Sequence, residues 1–563
     1  MGGVTSRVPI VGWLKSYDRA DLRLDVVAGL TVAALVIPKN LGYAGIAQLP
    51  VEYGLYAAAA GALLYAVFGT SRQISTGPSS SLAAVAAGAV AVSGVAQGQQ
   101  TAELVAAITI ATSILFLLIG VLRMGWISQF LSRAVVTGFL FGAAIDVVVG
   151  ELGKLTGSPS DGDNTFSELK DWFGGLDERH TTTVVVAAVA LATVLGLRRW
   201  APKVPGALVL LVGGLVASSV FDLAGHGVAT VGDVPRGLPK LAVPPLDLVR
   251  DHFATIGAAA LAIVLIGYSQ TAGDARVFAA RHRYRIDVDQ ESIAQGMANL
   301  GAGLFQGMPV STSLSASSLN DSSGARTQLA SLVTGATVVL TLVFIAPLFS
   351  DLPKPILGVV IIDAVVFGMM DVPEMRRMWL VKRIDFWIAA LALVGVLAAG
   401  VLAGVLIGVA LSVLWLVHAS THPEVTELAR RRGSAAFDPI GGNPDEETFP
   451  GVVVLRFSAG LFFATADVLK DELRRLVLAD RDVPVTAAII DFGGINFIDS
   501  QGAATMSEVV EVAQSRSITL RLARVQPAVR VVLEAEGVME RLGVSNVHSN
   551  LDDAIAAELS QRG

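Results

Sequence analysis

The sequence predicts a polytopic α-helical membrane protein of fourteen segments in a seven-plus-seven inverted repeat with two half-helices, followed by a small α/β domain. Three observations carry this prediction. The 563 residues are 53% hydrophobic and only 16% charged, with a mean hydropathy of +0.63, too apolar for a soluble multidomain chain. Two polar stretches interrupt apolar segments at corresponding places: Ser75–Ser81 (Ser-Thr-Gly-Pro-Ser-Ser-Ser) and Gly307–Asn320 (Gly-Met-Pro-Val-Ser-Thr-Ser-Leu-Ser-Ala-Ser-Ser-Leu-Asn). Charges in the connecting loops alternate in sign from one side to the other.

Met1–Leu24 holds Arg7, Lys15, Arg19 and Arg23. It has no short apolar region followed by a small-residue cleavage site, so no signal peptide is expected and the first apolar segment directs insertion. Apolar segments then run near 25–48, 53–69, 77–95, 103–122, 127–150, 181–197 and 205–223. A second set runs near 253–278, 290–304, 310–320, 327–349, 355–370, 384–400 and 402–418. The third and tenth are shorter than the roughly 20 residues of a full span. An odd number of segments per half gives the halves opposite orientations.

With the N-terminus in the cytoplasm, the inner turns carry Arg72, Arg123, Arg198, Arg199, Lys203, Arg281, Arg283, Arg285, Arg326, Arg376, Arg377, Lys382 and Arg383. The longest outer loop carries Asp161, Asp163, Glu168, Asp171, Asp177 and Glu178. This positive-inside pattern places the C-terminal tail in the cytoplasm as well.

The two interruptions point to a binding site. Pro309 suits the first turn of a new helix, and Ser311, Thr312, Ser313 and Ser315 offer hydroxyls and caps around its free N–H groups. A helix starting inside a membrane aims its positive dipole end at what lies in front of it, which suits an anion. The half-helix starts at Pro78 and Pro309 are expected to face each other near the midplane. Gly77, Ser79, Ser80, Ser311, Thr312, Ser313 and Tyr43 are expected around them.

Beyond His418 the composition changes. Thr421–Phe449 is rich in charge, Pro and Gly, including Arg430-Arg431-Arg432 and Asp445-Glu446-Glu447, and is expected to be a linker. The chain divides on this reading into residues 1–24, a transport domain at 25–420, the linker at 421–449 and a terminal domain at 450–563. In the last, strands at Val452–Phe457, Ala487–Phe492 and Ile518–Ala523 alternate with helices at Asp467–Leu478, Ala503–Ala513 and Pro527–Glu536, the mark of an α/β sheet. Asp499 and Ser500 can cap the second of these helices. The chain has no cysteine, which excludes disulfides and thiolate chemistry. A net charge of −7 does not suggest a nucleic-acid partner. No enzyme activity, metal or cofactor is expected.

Several of these stretches resemble a known family. Asp-Val-Val-Ala-Gly-Leu-Thr from Asp25, Ile37-Pro38, Gly-Leu-Tyr at 54–56 and above all Phe-Gly-Thr-Ser-Arg-Gln-Ile-Ser-Thr-Gly-Pro at 68–78 are similar to SulP family signatures. Gln290–Asn299 and Phe305–Thr327 also fit, and Ile490–Gly502 resembles a STAS domain. The resemblance implies a core bundle (segments 1–4 and 8–11) moving elevator-like against a gate bundle (5–7 and 12–14), usually in a homodimer. It implies secondary active transport of an inorganic anion across the plasma membrane, with sulfate or bicarbonate the leading cargo and proton or sodium coupling left open.

Carried onto this chain, the family pattern places Lys39 where many members have Gln, and Tyr43 at the aromatic position. Ser315 and Ala316 stand where many members have Ser-Arg, so that cation is missing. Lys39, deep in an apolar segment, is expected either to supply the charge or to pair with Asp274. Gln270 occupies the position of a coupling carboxylate, and Asp274, one turn on, can replace it. Asp146 and Asp363, in segments five and twelve, invite the same reading at lower weight. Bacterial STAS relatives can be phosphorylated at the position of Ser500. Gly29, Gly42, Gly138 and Gly142 are read as sites of close helix packing. Two other functions compete with this one: a nucleobase–cation symporter, which would want paired Glu or amide groups and generally lacks a STAS tail, and a non-transporting sensor signalling through the tail.

Overall fold

The computed structural model describes residues 8–125, 132–158, 165–202, 204–441, 445–478 and 483–562. Arg7, Asp161, Asp163 and Lys203 lie outside them. The chain divides into Met1–Val413 and Leu414–Gly563.

The first unit is helical, with α1 (Leu22–Ile46), α2 (Val51–Phe68), α3 (Ser80–Ser93), α4 (Gln99–Val121), α5 (Arg133–Thr156), α6 (Thr181–Trp200) and α7 (Gly206–Phe221) in its first half. The second half repeats the pattern with α8 (Phe253–His282), α9 (Val288–Leu304), α10 (Leu314–Ser322), α11 (Leu329–Leu340), α12 (Lys354–Met369), α13 (Arg383–Ala399) and α14 (Val401–Thr421). Among the described residues, 8 helical stretches are long and apolar enough to cross a membrane. The half-helices α3 and α10, at 14 and 9 residues, are not. Each follows a short strand, β1 (Thr76–Pro78) or β2 (Val310–Thr312).

Packing sorts the helices into two bundles. α9 lies against α4 and α2, α11 against α1 and α2, and α8 against α3 and α4. Separately, α5 packs on α13 and α12, and α6 on α12 and α7. Small residues permit this closeness. A Cβ at Gly138 would sit 2.0 Å from the Ala389 carbonyl oxygen, and one at Gly29 2.5 Å from that of Ala330.

The second unit is a 7-stranded sheet with strand order β4-β3-β6-β7-β8-β9 and β5 paired to β3. Its strands are β3 (Val425–Arg431), β4 (Phe437–Pro439), β5 (Glu446–Glu447), β6 (Val452–Phe457), β7 (Ala487–Asp491), β8 (Thr519–Ala523) and β9 (Val547–His548). β6 to β9 run parallel, and β3 is antiparallel to β6. Val453, Leu455, Phe457, Ile490 and Leu522 face α15 (Ala466–Leu478), α16 (Ser500–Ser515) and α17 (Pro527–Ala535), while Val452, Val454 and Ile489 face α18 (Leu551–Arg562). This is the period-2 alternation of a sheet covered on both faces.

The stretch expected to be a linker, 421–449, instead holds three strands. Its charges are cross-strand partners: Arg430 meets Glu447 at 2.7 Å and Arg431 meets Asp438 at 2.7 Å. A charge-rich edge strand looks like a linker when read alone.

Asp491, fully buried at the end of β7, accepts from Arg524 Nε at 2.7 Å, Arg456 Nε at 2.9 Å and the Gly493 N–H at 3.0 Å. Burial pushes its carboxyl up, but the bonds from Arg524 and Arg456 outweigh burial and hold it below the usual carboxylate range. A depressed folded-state pKa gives stability that is present above the unfolded value, about 3.9, and lost as pH falls through the folded one. Asp491→Asn should therefore lower stability near neutrality and flatten the loss below about pH 4. Hydrogen exchange of β7 in the full-length protein across that range measures it, and an unchanged acid profile in the variant would contradict the assignment.

Candidate functional site

The two interrupted segments meet through their backbones. β1 and β2 pair antiparallel, with Thr76 opposite Thr312, Gly77 opposite Ser311 and Pro78 opposite Val310. Inside a membrane an extended backbone must find partners in protein, and each strand supplies the other's. The helices therefore begin after the strands, at Ser80 and Leu314, rather than at Pro78 and Pro309. Pro309 precedes Val310-Ser311-Thr312, in which Val310 and Thr312 are β-branched and favour an extended backbone. Ser311 and Thr312 lie in that strand, and the cap falls to Ser313.

The starts are near copies. Ser79 Oγ accepts from the Leu82 N–H at 3.4 Å, and Ser313 Oγ accepts from the Ala316 N–H at 3.4 Å. Ser79 bonds Ser81 at 3.1 Å, and Ser313 bonds Ser315 at 3.3 Å. These caps leave the preceding amides of each helix without an intrahelical acceptor. Two positive dipole ends thus flank one space.

That space is a cavity of about 1210 Å³ between the two bundles. Lys39, Tyr43, Ser79, Ser80, Gln270, Asp274, Thr312, Ser313 and Ser315 all line it. Gly77 and Ala316 line a small neighbouring pocket together with Lys39, Tyr43 and Ser313. Ser311 lines neither. It is fully buried and donates to Gln270 Oε1 at 3.2 Å. Gln270 Nε2 in turn donates to Ser81 Oγ at 3.4 Å, so this amide ties the two interrupted segments together.

Lys39 Nζ donates to Ser315 Oγ at 3.4 Å, at the start of α10. Asp274 accepts from Thr312 Oγ1 at 3.2 Å. The alternative pairing of Lys39 with Asp274 is not formed, because each side chain engages a different part of the second interrupted segment. Asp146 accepts from Thr165, in the short helix Thr165–Gly174. Asp363 is bonded on both oxygens by Arg198, from Nε at 2.6 Å and Nη2 at 3.0 Å. Arg198, expected in a turn, lines the cavity instead. Ser500 is exposed at the first position of α16, and its neighbour Asp499 is the N-cap, accepting from the Gly502 N–H at 2.7 Å.

The site rests on groups that the sequence reading did not single out. Asn299 accepts from the Val310 N–H at 3.0 Å and donates to its carbonyl at 2.9 Å, standing in for a strand beside β2. Gln295 donates to Thr76 Oγ1 at 3.1 Å. Glu291, fully buried, accepts from Tyr65 Oη at 2.5 Å, from the N–H groups of Thr70 at 2.7 Å and Ser71 at 3.1 Å, and from the Thr70 hydroxyl. Glu291, Gln295 and Asn299 recur every four residues in α9, and that single polar stripe was the available signal. It explains the Phe68–Pro78 signature: Gln290, Glu291 and Gln295 hold its backbone and hydroxyls.

Comparison with known proteins agrees with this architecture. The model for "Sulfate permease family" matches residues 22–392, and that for "STAS domain" matches residues 443–554. A probable sulfate transporter of Mycobacterium tuberculosis is 34% identical over 550 residues, 98% of this chain and 97% of the relative. The solved murine solute carrier 26 family member A9, an anion transporter in its inward-facing state, aligns with a TM-score of 0.87 at 19% identity, covering 100% of this chain and 95% of that one. The transmembrane domain of the cyanobacterial bicarbonate transporter BicA aligns with a TM-score of 0.60 at 19% identity, covering 70% of this chain and 98% of that one. The chain therefore belongs to the sulfate permease family, with a STAS domain following its membrane domain.

Proposed function

We propose that this protein is a secondary active transporter of an inorganic oxyanion, with sulfate or bicarbonate the leading substrate. The observation that carries this is the meeting of two capped half-helix starts and the Lys39 ammonium at one cavity. Fixed dipole ends and one full charge suit an anion that must be bound and then released. The names of the relatives support the substrate class.

On this reading α1–α4 with α8–α11 form the moving core, and α5–α7 with α12–α14 the gate. The cavity is lined by Arg133 at the start of α5, Arg198 near the end of α6 and Asp371 just beyond α12. If the basic loops face the cytoplasm, the cavity faces inward and both termini are cytoplasmic. A homodimer in the plasma membrane is the expected form. Ser500 serves as a helix-start residue rather than a switch.

Uptake of radiolabelled sulfate and bicarbonate into proteoliposomes, with and without a pH or sodium gradient, tests the reading. Saturable uptake of at least one anion is expected, and none would overturn it. On this reading Asp274, bonded to Thr312 in β2, carries a proton with the anion. Asp274→Asn should abolish stimulation by an inward proton gradient while leaving anion exchange intact. An undiminished gradient response would remove Asp274 from coupling.

A further inference from the structure

The cavity has a second cation whose charge is only half used. Arg198 gives its Nε and Nη2 to Asp363, at 2.6 and 3.0 Å. Its guanidinium carbon lies 3.9 Å from the centroid of the Phe367 ring. One edge and one face of the fork are therefore fixed, the edge by the buried Asp363 carboxylate and the face by stacking on Phe367. A guanidinium has five N–H donors, and among the described residues those on Nη1 have no partner. The side chain is 43% exposed, and it lines the cavity, as do Asp363 and Phe367. Lys39 lines the same cavity from α1, beside the half-helix starts. Of the other charged groups on this wall, Arg133 is paired with Glu374 at 3.5 Å, and Asp371 caps the helix Val372–Val381.

We propose that Arg198 is the gate-side ligand of the anion, presenting its Nη1 edge to a doubly charged oxyanion held at the half-helix starts, with Asp363 and Phe367 as positioning residues. The proposal rests on the transporter reading and deepens it. Lys39 and the dipole ends belong to the core, and a dianion there keeps charge and oxygens directed at the opposite wall. A planar fork matches two oxygens of a tetrahedral or trigonal oxyanion, whereas a monoanion already neutralised by Lys39 gains little from it. Arg198 thus sets preference for the dianion and links its binding to approach of the gate.

The test is uptake of sulfate and of nitrate by the full-length protein in proteoliposomes. Arg198→Gln should raise the sulfate KM about tenfold, with kcat within about twofold and the nitrate KM within about threefold. Arg198→Lys keeps the charge but loses the fork, and should retain most of that rise. Arg198→Gln alone leaves Asp363 buried and unpaired, so the double variant Arg198→Gln/Asp363→Asn serves as the folded control and should show the same sulfate KM as the single one. A wild-type sulfate KM and sulfate-to-nitrate ratio in the folded double variant would overturn the proposal while Lys39→Gln still weakens uptake. Failure of the wild-type protein to take up sulfate would overturn this proposal, and failure to take up bicarbonate as well would overturn the transporter reading.

Discussion

Lys39→Gln is expected to weaken anion binding about tenfold or more, equivalent to about 1.4 kcal/mol. Ala316, the third residue of α10, brings no charge, and among the core residues lining the cavity Lys39 is the cation. Its ammonium reaches Ser315, in the first turn of that half-helix. Each helix end contributes about half a charge at most, weakened by solvation. An ammonium roughly 4–6 Å from the anion, at an effective dielectric near 20, adds on the order of 3–4 kcal/mol of attraction before desolvation. Desolvation removes much of this, which is why the expected loss is smaller. Lys39→Arg should keep part of the affinity, because charge is retained and shape is not. Since Lys39 and Asp274 form no ion pair, Lys39→Gln with Asp274→Asn should bind no better than Lys39→Gln alone. Equilibrium binding of radiolabelled sulfate to purified protein reads all three. Unchanged affinity in folded Lys39→Gln would remove Lys39 from the site.

Glu291→Ala should all but abolish folded protein. The carboxylate is fully buried and accepts from four donors on Tyr65, Thr70 and Ser71. Truncation strands those donors, at a cost of about 1–3 kcal/mol for each buried group left unmatched. Even two such losses consume much of a typical stability margin of about 5–15 kcal/mol. Glu291→Gln keeps one acceptor oxygen and should recover part of the yield. Monodisperse protein recovered after detergent extraction, with its melting temperature, measures both. Wild-type recovery of Glu291→Ala would show that the 69–78 turn is held by its other contacts, including Gln290 to Phe68 and Tyr284 to Ser71 and Gln73.

The fourteen segments and the two half-helices were legible because each follows from local composition: apolar length, interruption and loop charge. The position of the helix starts was not. Proline disfavours helix just before it and does not require helix after it, so only pairing with Thr76–Pro78 decides that Val310–Thr312 is extended. Arg198 was misplaced for a related reason. A cation near the end of an apolar segment reads equally as a loop charge or a cavity wall, and the carboxylate that selects the second, Asp363, is 165 residues away. Glu291, Gln295 and Asn299 form a visible stripe, yet their partners lie in other segments. The strands at 425–447 were hidden by charges that look solvated until their cross-strand partners are known.

The most direct test of the account is the dissociation constant of radiolabelled sulfate for purified wild-type protein beside Lys39→Gln and Arg198→Gln/Asp363→Asn. Saturable binding by the wild type, weakened about tenfold in each folded variant, is the predicted result. Equal affinity in all three proteins would contradict an anion site built from the half-helix starts, Lys39 and Arg198.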